Sequence, residues 1–305
     1  MQSINFVVLG EQTIANDFGK KGTSTDITLF DKKESDIIRT WIVPNGFPEK
    51  IQPLFQAINL SEFVIFYVAS LDKFTGEQII ALDILKRKEG ILSHSYEVDE
   101  NRFYAMIKGT VLENYKKVGS SDIKQEINKI QPLSKEGKTK IVIDQCFDVK
   151  GVGTVVLGKV VQGTVKQYDN LKLFPSGTDV MVKSIQMHDD PVPDAKTPAR
   201  VGLSIKGVKV DEISRGDYLC EDQTQNIQNE IELDFVQNPF YKNPISENQM
   251  CLASIGMQIK AAKFKSIKPF VLEFEKPVVC DKNEICVLLK PESTTVRILG
   301  SGKIL

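Results

Sequence analysis

Helical periodicity fades near residue 139 of this chain and does not return. Before that point strand-like and helix-like segments alternate. After it come short alternating runs, such as residues 171–173, 180–182 and 201–205, broken by Gly and Pro. The first pattern predicts an α/β layer with a mostly parallel sheet, because each crossover must lay a helix back on the sheet. The second predicts small antiparallel β-barrels, since short strands remove their open edges by closing on one another. Pro132, Ser134 and Gly137 mark the linker between the two textures, and a polar stretch at 221–228 divides the second. The expected organisation is therefore 1–135 as an α/β domain, 139–223 as one barrel and 228–305 as another.

Within the first part, residues 4–9, 37–43 and 63–69 read as buried strands. Residues 48–60 read as a helix with Pro48 in its first turn. Residues 75–88 read as a second, closed by Lys86, Arg87 and Lys88 where the helix dipole favours cations. Trp41 reads as core. At 305 residues, three cores of this size are attainable. The net charge of −1 is balanced in each of the three parts, so any RNA contact would rest on a local patch. Five cysteines without a Cys-x-x-Cys pair point to a reduced, metal-free cytoplasmic protein. No leader or membrane-spanning run is evident, and no membrane partner is expected.

Residues 10–17 have the spacing of a phosphate-binding loop without its working residues. Such a loop runs Gly-x-x-x-x-Gly-Lys-[Ser/Thr], its amides and Lys holding phosphates and its hydroxyl holding Mg²⁺. Gly10 stands in first place, but Ala15, Asn16 and Asp17 occupy the last three. Ala15 adds a Cβ, Asn16 removes a charge, and Asp17 puts a carboxylate near polyphosphate oxygens. Just beyond, residues 19–26 hold two Gly, Lys20, Lys21 and three hydroxyls. They read either as a polar loop or as a replacement anion-binding nest.

Residues 149–163 (VKGVGTVVLGKVVQG), with YDNL at 168–171, VKSI at 182–185, VGL at 201–203, KGV at 206–208 and ISRG at 213–216, resemble the second domain of elongation factor Tu-like translational GTPases. Residues 251–257 (CLASIGM) and 297–302 (RILGSG) resemble the third domain, in the manner of the archaeal selenocysteine-specific branch. The resemblance implies a G-like α/β domain followed by two barrels. It also aligns 43–47 (VPNGF) with Asp-x-Pro-Gly-His, so that Val43 replaces the Asp holding the Mg²⁺ water and Phe47 the His positioning the attacking water. His94, Ser95 and Glu97 fall where Asn-Lys-x-Asp would read guanine; only Glu97 retains an acceptor for it. Three nucleotide motifs are thus degenerate together, and the expectation is a pseudo-GTPase with no catalytic residues, cofactor or metal.

By the same resemblance, the groove between the first two domains holds the aminoacylated tRNA end. Gln186 takes the place of a Glu that contacts the terminal adenosine, with His188 and Arg200 nearby. Lys260, Lys263, Lys265 and Lys268 form the clearest basic cluster, with Lys20 and Lys21 as further candidates for RNA phosphate. The reading is a translation-associated factor that binds tRNA or the ribosome without nucleotide. Two other classes stay open: a protein–protein adaptor on the same scaffold, and a residual GTPase with unorthodox ligands.

Overall fold

The computed structural model describes residues 1–221 and 225–305. The first domain is a seven-stranded sheet of β1 (Gln2–Gly10), β2 (Lys20–Ser24), β3 (Thr28–Glu34), β4 (Ile37–Val43), β5 (Phe63–Val68), β6 (Gly90–His94) and β7 (Lys116–Lys117), in the order β2-β3-β4-β1-β5-β6-β7. The pairings β4-β1-β5-β6-β7 are parallel, while β2, β3 and β4 form an antiparallel edge. Helices α1 (Gln52–Leu60), α2 (Lys73–Ile84), α3 (Glu100–Ile107) and α4 (Ile123–Lys129) complete the domain.

Helix α1 begins four residues later than its sequence pattern starts, with Pro53 rather than Pro48 in the first turn. Its Leu54, Phe55 and Ile58 are fully buried against the sheet, each worth about 1.5–3 kcal/mol of apolar burial. Helix α2 starts at its Asp72 cap, whose carboxylate accepts from the Thr75 amide, and stops at Ile84. The expected basic last turn is absent from it. Lys86 takes a positive φ of 52°, and Arg87 turns back into the fold to donate to Asn59 Oδ1 at 2.7 Å. Trp41 is core, stacked on Phe6 with ring centroids 6.0 Å apart.

Residues 19–26 are not the loop their composition suggests. Lys20–Ser24 is the extended edge strand β2, in register with β3 (Lys20 opposite Asp31, Ser24 opposite Thr28). An extended backbone turns successive amides to opposite sides, which opposes the convergence on one anion that a nest needs, although the register with β3 shifts between Lys21 and Ser24. Its exposed lysines instead guard an open sheet edge.

The first barrel comprises β8 (Lys140–Val149), β9 (Gly153–Gln162), β10 (Thr164–Lys166), β11 (Asn170–Phe174), β12 (Thr178–Met187), β13 (Asp190–Val192), β14 (Asp194–Lys196), β15 (Arg200–Lys206) and β16 (Tyr218–Cys220). Six of these close through the order β11-β16-β8-β9-β15-β12 and the β11–β12 pairing, while β10 pairs with β14 and β13 extends β12. The second barrel closes as β17-β20-β19-β18-β21-β22, from β17 (Ile227–Gln237), β18 (Met250–Ile255), β19 (Gln258–Ile267), β20 (Phe270–Val279), β21 (Ile285–Leu289) and β22 (Ile298–Ile304). The expected boundary at 221–228 includes residues 222–224, which lie outside the described residues. Among the described residues no helix is long and apolar enough to cross a membrane.

One apolar cluster joins the three parts, in addition to each barrel's own core. The apolar cluster under α1 and α2 runs on into Val142, Phe174 and Tyr218 of the first barrel and Met257, Val287, Leu289 and Ile298 of the second. Polar contacts reinforce it at three points. Arg297, entering β22, is bidentate to Glu77 of α2, with Nη2–Oε2 at 2.5 Å and Nε–Oε1 at 3.1 Å, and its Nη1 donates to Pro48 O at 2.6 Å. Both members of this pair are under 10% exposed. Lys159 of the first barrel is buried, its ammonium donating to Leu60 O at 2.6 Å and Glu62 at 2.7 Å. Desolvation pushes its pKa down, and the Glu62 charge opposes that. Arg215 bonds both Asp26 oxygens at 2.9 Å and also Gln56 of α1.

Removing one member of a buried pair leaves an uncompensated charge, at a cost of about 3–5 kcal/mol. Arg297→Ala should therefore lower the stability measured by urea unfolding by an amount on that scale. A change below about 1 kcal/mol would mean that the pair contributes nothing beyond a surface bridge.

Candidate functional site

Strand β1 ends at Gly10, whose φ of +76° brings its backbone so close to β5 that a Cβ there would lie 2.0 Å from Tyr67 O. The chain then enters a short 3₁₀ turn, Gln12–Asp17, rather than an α-helix. Three amides at the start of this stretch face protein acceptors. Gly10 N–H donates to Gln78 Oε1 at 2.7 Å, Glu11 N–H to Tyr67 O at 2.7 Å, and Thr13 N–H to the Glu11 carboxylate at 3.1 Å. The Thr13 hydroxyl donates to that same carboxylate at 2.6 Å. Ala15 is buried in the core, while Asn16, donating to Thr13 O at 2.8 Å, and Asp17 are exposed.

Val43 closes β4 and Phe47 lies in the turn after it, both buried. It is pinned from both sides: Asn45 accepts from Thr28 Oγ1 and donates to Thr25 O, and Gly46 N–H donates to Asp26 O. The Phe47 ring sits under the Arg297 guanidinium, 5.4 Å from its centroid, and meets Phe74 edge-on at 5.9 Å. Beyond β5, the cleft between these two turns has a volume of about 170 Å³. Its charged lining groups are Glu11 and Asp72, both acidic, beside Phe47 and Phe74. At the end of β6, His94 packs edge-on against Phe103 and Tyr104, and Ser95 Oγ reaches Ala69 O at 3.4 Å. Tyr96 and Glu97 project into solvent.

A second cleft, of about 140 Å³, lies between β2–β4 and strands β12 and β15 of the first barrel. The fold brings Gln186, His188 and Arg200 together on its wall, opposite Asp31 and Thr40. Arg200 is not a free cation. Its Nη1 is 2.5 Å from Asp144 Oδ2, and both side chains are largely buried.

The basic cluster on β19 is largely neutralised, which the linear sequence conceals. Lys263 pairs with its cross-strand partner Glu273 at 3.1 Å. Lys265 bonds Glu230 of β17, which raises its pKa. Lys260 lies close enough to buried Asp217 to offset part of the desolvation that raises that carboxyl's pKa. Lys268 is exposed beyond the strand end, and Lys20 and Lys21 lie on a different sheet. Acceptors spaced across strands have no signature along the chain. The Arg297–Glu77 pair is hidden for the same reason, 220 residues separating its members.

Residues 153–220 match the family Elongation factor Tu domain 2. An uncharacterized protein of Methanocaldococcus jannaschii is 32% identical over 296 residues, covering 95% of this chain and 96% of that protein. The selenocysteine-specific elongation factor of the same organism is 28% identical over 211 residues, 61% of this chain but only 43% of that protein's length. Translation elongation factor SelB of Methanococcus maripaludis, solved with the GTP analogue GppNHp, superposes with a TM-score of 0.82 at 21% identity, over all of this chain and 79% of that one. Its apo form superposes at 0.80.

Restoring the two polar loop residues should not restore turnover, because Val43 offers no metal ligand and Phe47 is held by Arg297. The double variant Asn16→Lys/Asp17→Thr is expected to show no Mg²⁺-dependent, multiple-turnover GTP hydrolysis above the wild-type background. Turnover in a phosphate-release assay would contradict that assignment of the loops.

Proposed function

The chain belongs to the elongation factor Tu-like translational GTPase family, close to its selenocysteine-specific members, and from that premise we propose that it is a pseudo-GTPase. It acts as a tRNA- or ribosome-associated binding factor whose domain arrangement is independent of guanine nucleotide. The observation that carries the reading is the placement of Phe47. Where the family's turn responds to bound nucleotide, this one is clamped beneath Arg297, itself tied to Glu77 and Pro48 O.

The residues at the loop do not fit a Mg²⁺-nucleotide. Three successive features oppose it: Gly10, Glu11 and Thr13 amides already bonded within the protein, a Glu11 carboxylate inside the turn, and a lining whose charges are acidic. Polyphosphate binding relies on charge-assisted donors, which are the strong ones, and those are replaced here by like charge. A ligand shifts a conformational equilibrium only by its differential affinity for the two states. A site that does not hold nucleotide therefore leaves the arrangement of the three parts to the protein's own contacts.

The aminoacyl role rests on the second cleft, where Gln186, His188 and Arg200 converge between the first domain and the first barrel. The adaptor reading has its own support. With Lys263 and Lys265 paired to carboxylates, the β19 cluster offers a duplex RNA less unopposed charge than its sequence suggests. Filter binding at low salt separates the two. The tRNA reading expects saturable binding of aminoacylated tRNA, equal with and without GTP; the adaptor reading expects none, with protein partners retained.

Calorimetric titration with GTP or GDP and Mg²⁺ should show no site tighter than about 10 μM, which corresponds to roughly 7 kcal/mol. Saturable binding below that value would return the chain to the working GTPases.

A further inference from the structure

The second cleft differs from a cation-lined pocket in one respect that decides which aminoacyl group it tolerates. Its arginine faces the cleft as half of a neutral pair, Arg200 with Asp144, both largely buried. Lys33, on the neighbouring strand β3, is likewise tied to Asp190 at 2.5 Å. Beside neutral Gln186 and the His188 imidazole, the charged groups that remain on the wall are the carboxylates of Asp31 and Asp189. Asp31 is half-buried, and its Oδ1 accepts from Thr40 Oγ1 at 2.6 Å, a neutral donor that holds the carboxylate without compensating its charge. Asp189 is exposed at the tip of the β12–β13 hairpin, where His188 and Asp189 both take positive φ (51° and 66°), so the turn fixes where the two side chains leave the backbone. Among the described residues neither Asp31 nor Asp189 forms an ion pair. Lys20, opposite Asp31 in the β2–β3 register, is exposed and solvent-screened.

We propose that this cleft selects against an anionic aminoacyl group and accepts a neutral or cationic one, with Asp31 and Asp189 as the residues that set the preference. The inference rests on the reading that the acylated tRNA end occupies this cleft. A group carrying negative charge, whether a carboxylate or an ionised selenol, meets two carboxylates and no free arginine. A neutral group escapes that repulsion, and an ammonium gains from it.

The test uses a single tRNA body acylated in turn with alanine, lysine and aspartate, with the deacylated tRNA alongside, in filter binding at low salt. The aspartyl form is expected to bind about five- to tenfold more weakly than the alanyl and lysyl forms, the range two partly screened carboxylates produce. The isosteric double variant Asp31→Asn/Asp189→Asn should bring the three acylated forms within about twofold of one another, on the same reasoning. Equal affinity of the wild type for all three, or tightest binding of the aspartyl form, overturns the selectivity while leaving tRNA binding intact. If no acylated form binds saturably, the aminoacyl reading falls and the selectivity with it. The wild-type ranking decides the matter even if the double variant does not fold.

Discussion

Arg297 and Glu77 form the contact on which the arrangement of this molecule depends. Two charges removed from water repay their desolvation only when geometry is good and the remaining donors are satisfied. Here the guanidinium is bidentate to the carboxylate, donates once more to Pro48 O, and covers the rings of Phe47 and Phe74. The Arg297 amide also donates to Glu77 at 3.0 Å. One side chain of the second barrel therefore fixes α2, the turn after β4 and the barrel itself relative to one another. Arg215 and Lys159 do the same for the first barrel, through Asp26 and Glu62.

This anchoring has consequences for the site. A loop that holds phosphate must present free amides, and a switching turn must have two arrangements of comparable energy. On the proposed reading neither condition is met around Gly10 and Phe47, where the Gly10, Glu11 and Thr13 amides are bonded inward and the aromatic ring is part of a core continuous with both barrels. The groove between the first domain and the first barrel keeps its polar lining, with Gln186 and His188 exposed on it. The scaffold is thus compatible with binding at this groove, where on the proposal above Asp31 and Asp189 set the preference.

Much of the fold is legible in the chain. The loss of helical periodicity locates the barrels, and strands β1, β4 and β5 emerge from near-continuous apolar runs, broken by Asn5 in β1 and by Arg39 and Thr40 in β4, as suits a sheet buried on both faces. Residues 19–26 read as a loop because Gly, Lys and hydroxyl residues suit a turn as well as an exposed edge strand, and pairing with β3 decides between them. Helix α2 ends early where Lys86 takes a positive φ and the Arg87 amide returns to Leu82 O at 3.1 Å, after which the Arg87 side chain reaches Asn59, a partner 28 residues away. The site is legible only in part. Gln186, His188 and Arg200 do meet, yet Asp144, which neutralises Arg200, and Glu273 and Glu230, which neutralise the β19 lysines, are cross-strand or distant partners without a local pattern.

On the proposed reading protein contacts, and not nucleotide, set the relation of the three parts. Amide hydrogen exchange of the intact chain, with and without saturating GTP and Mg²⁺, reads it directly at residues 44–49, along α2 and at the start of β22. The account expects identical protection in these segments under both conditions. Protection that rises with GTP at the turn carrying Phe47, together with a change at Arg297, would contradict it.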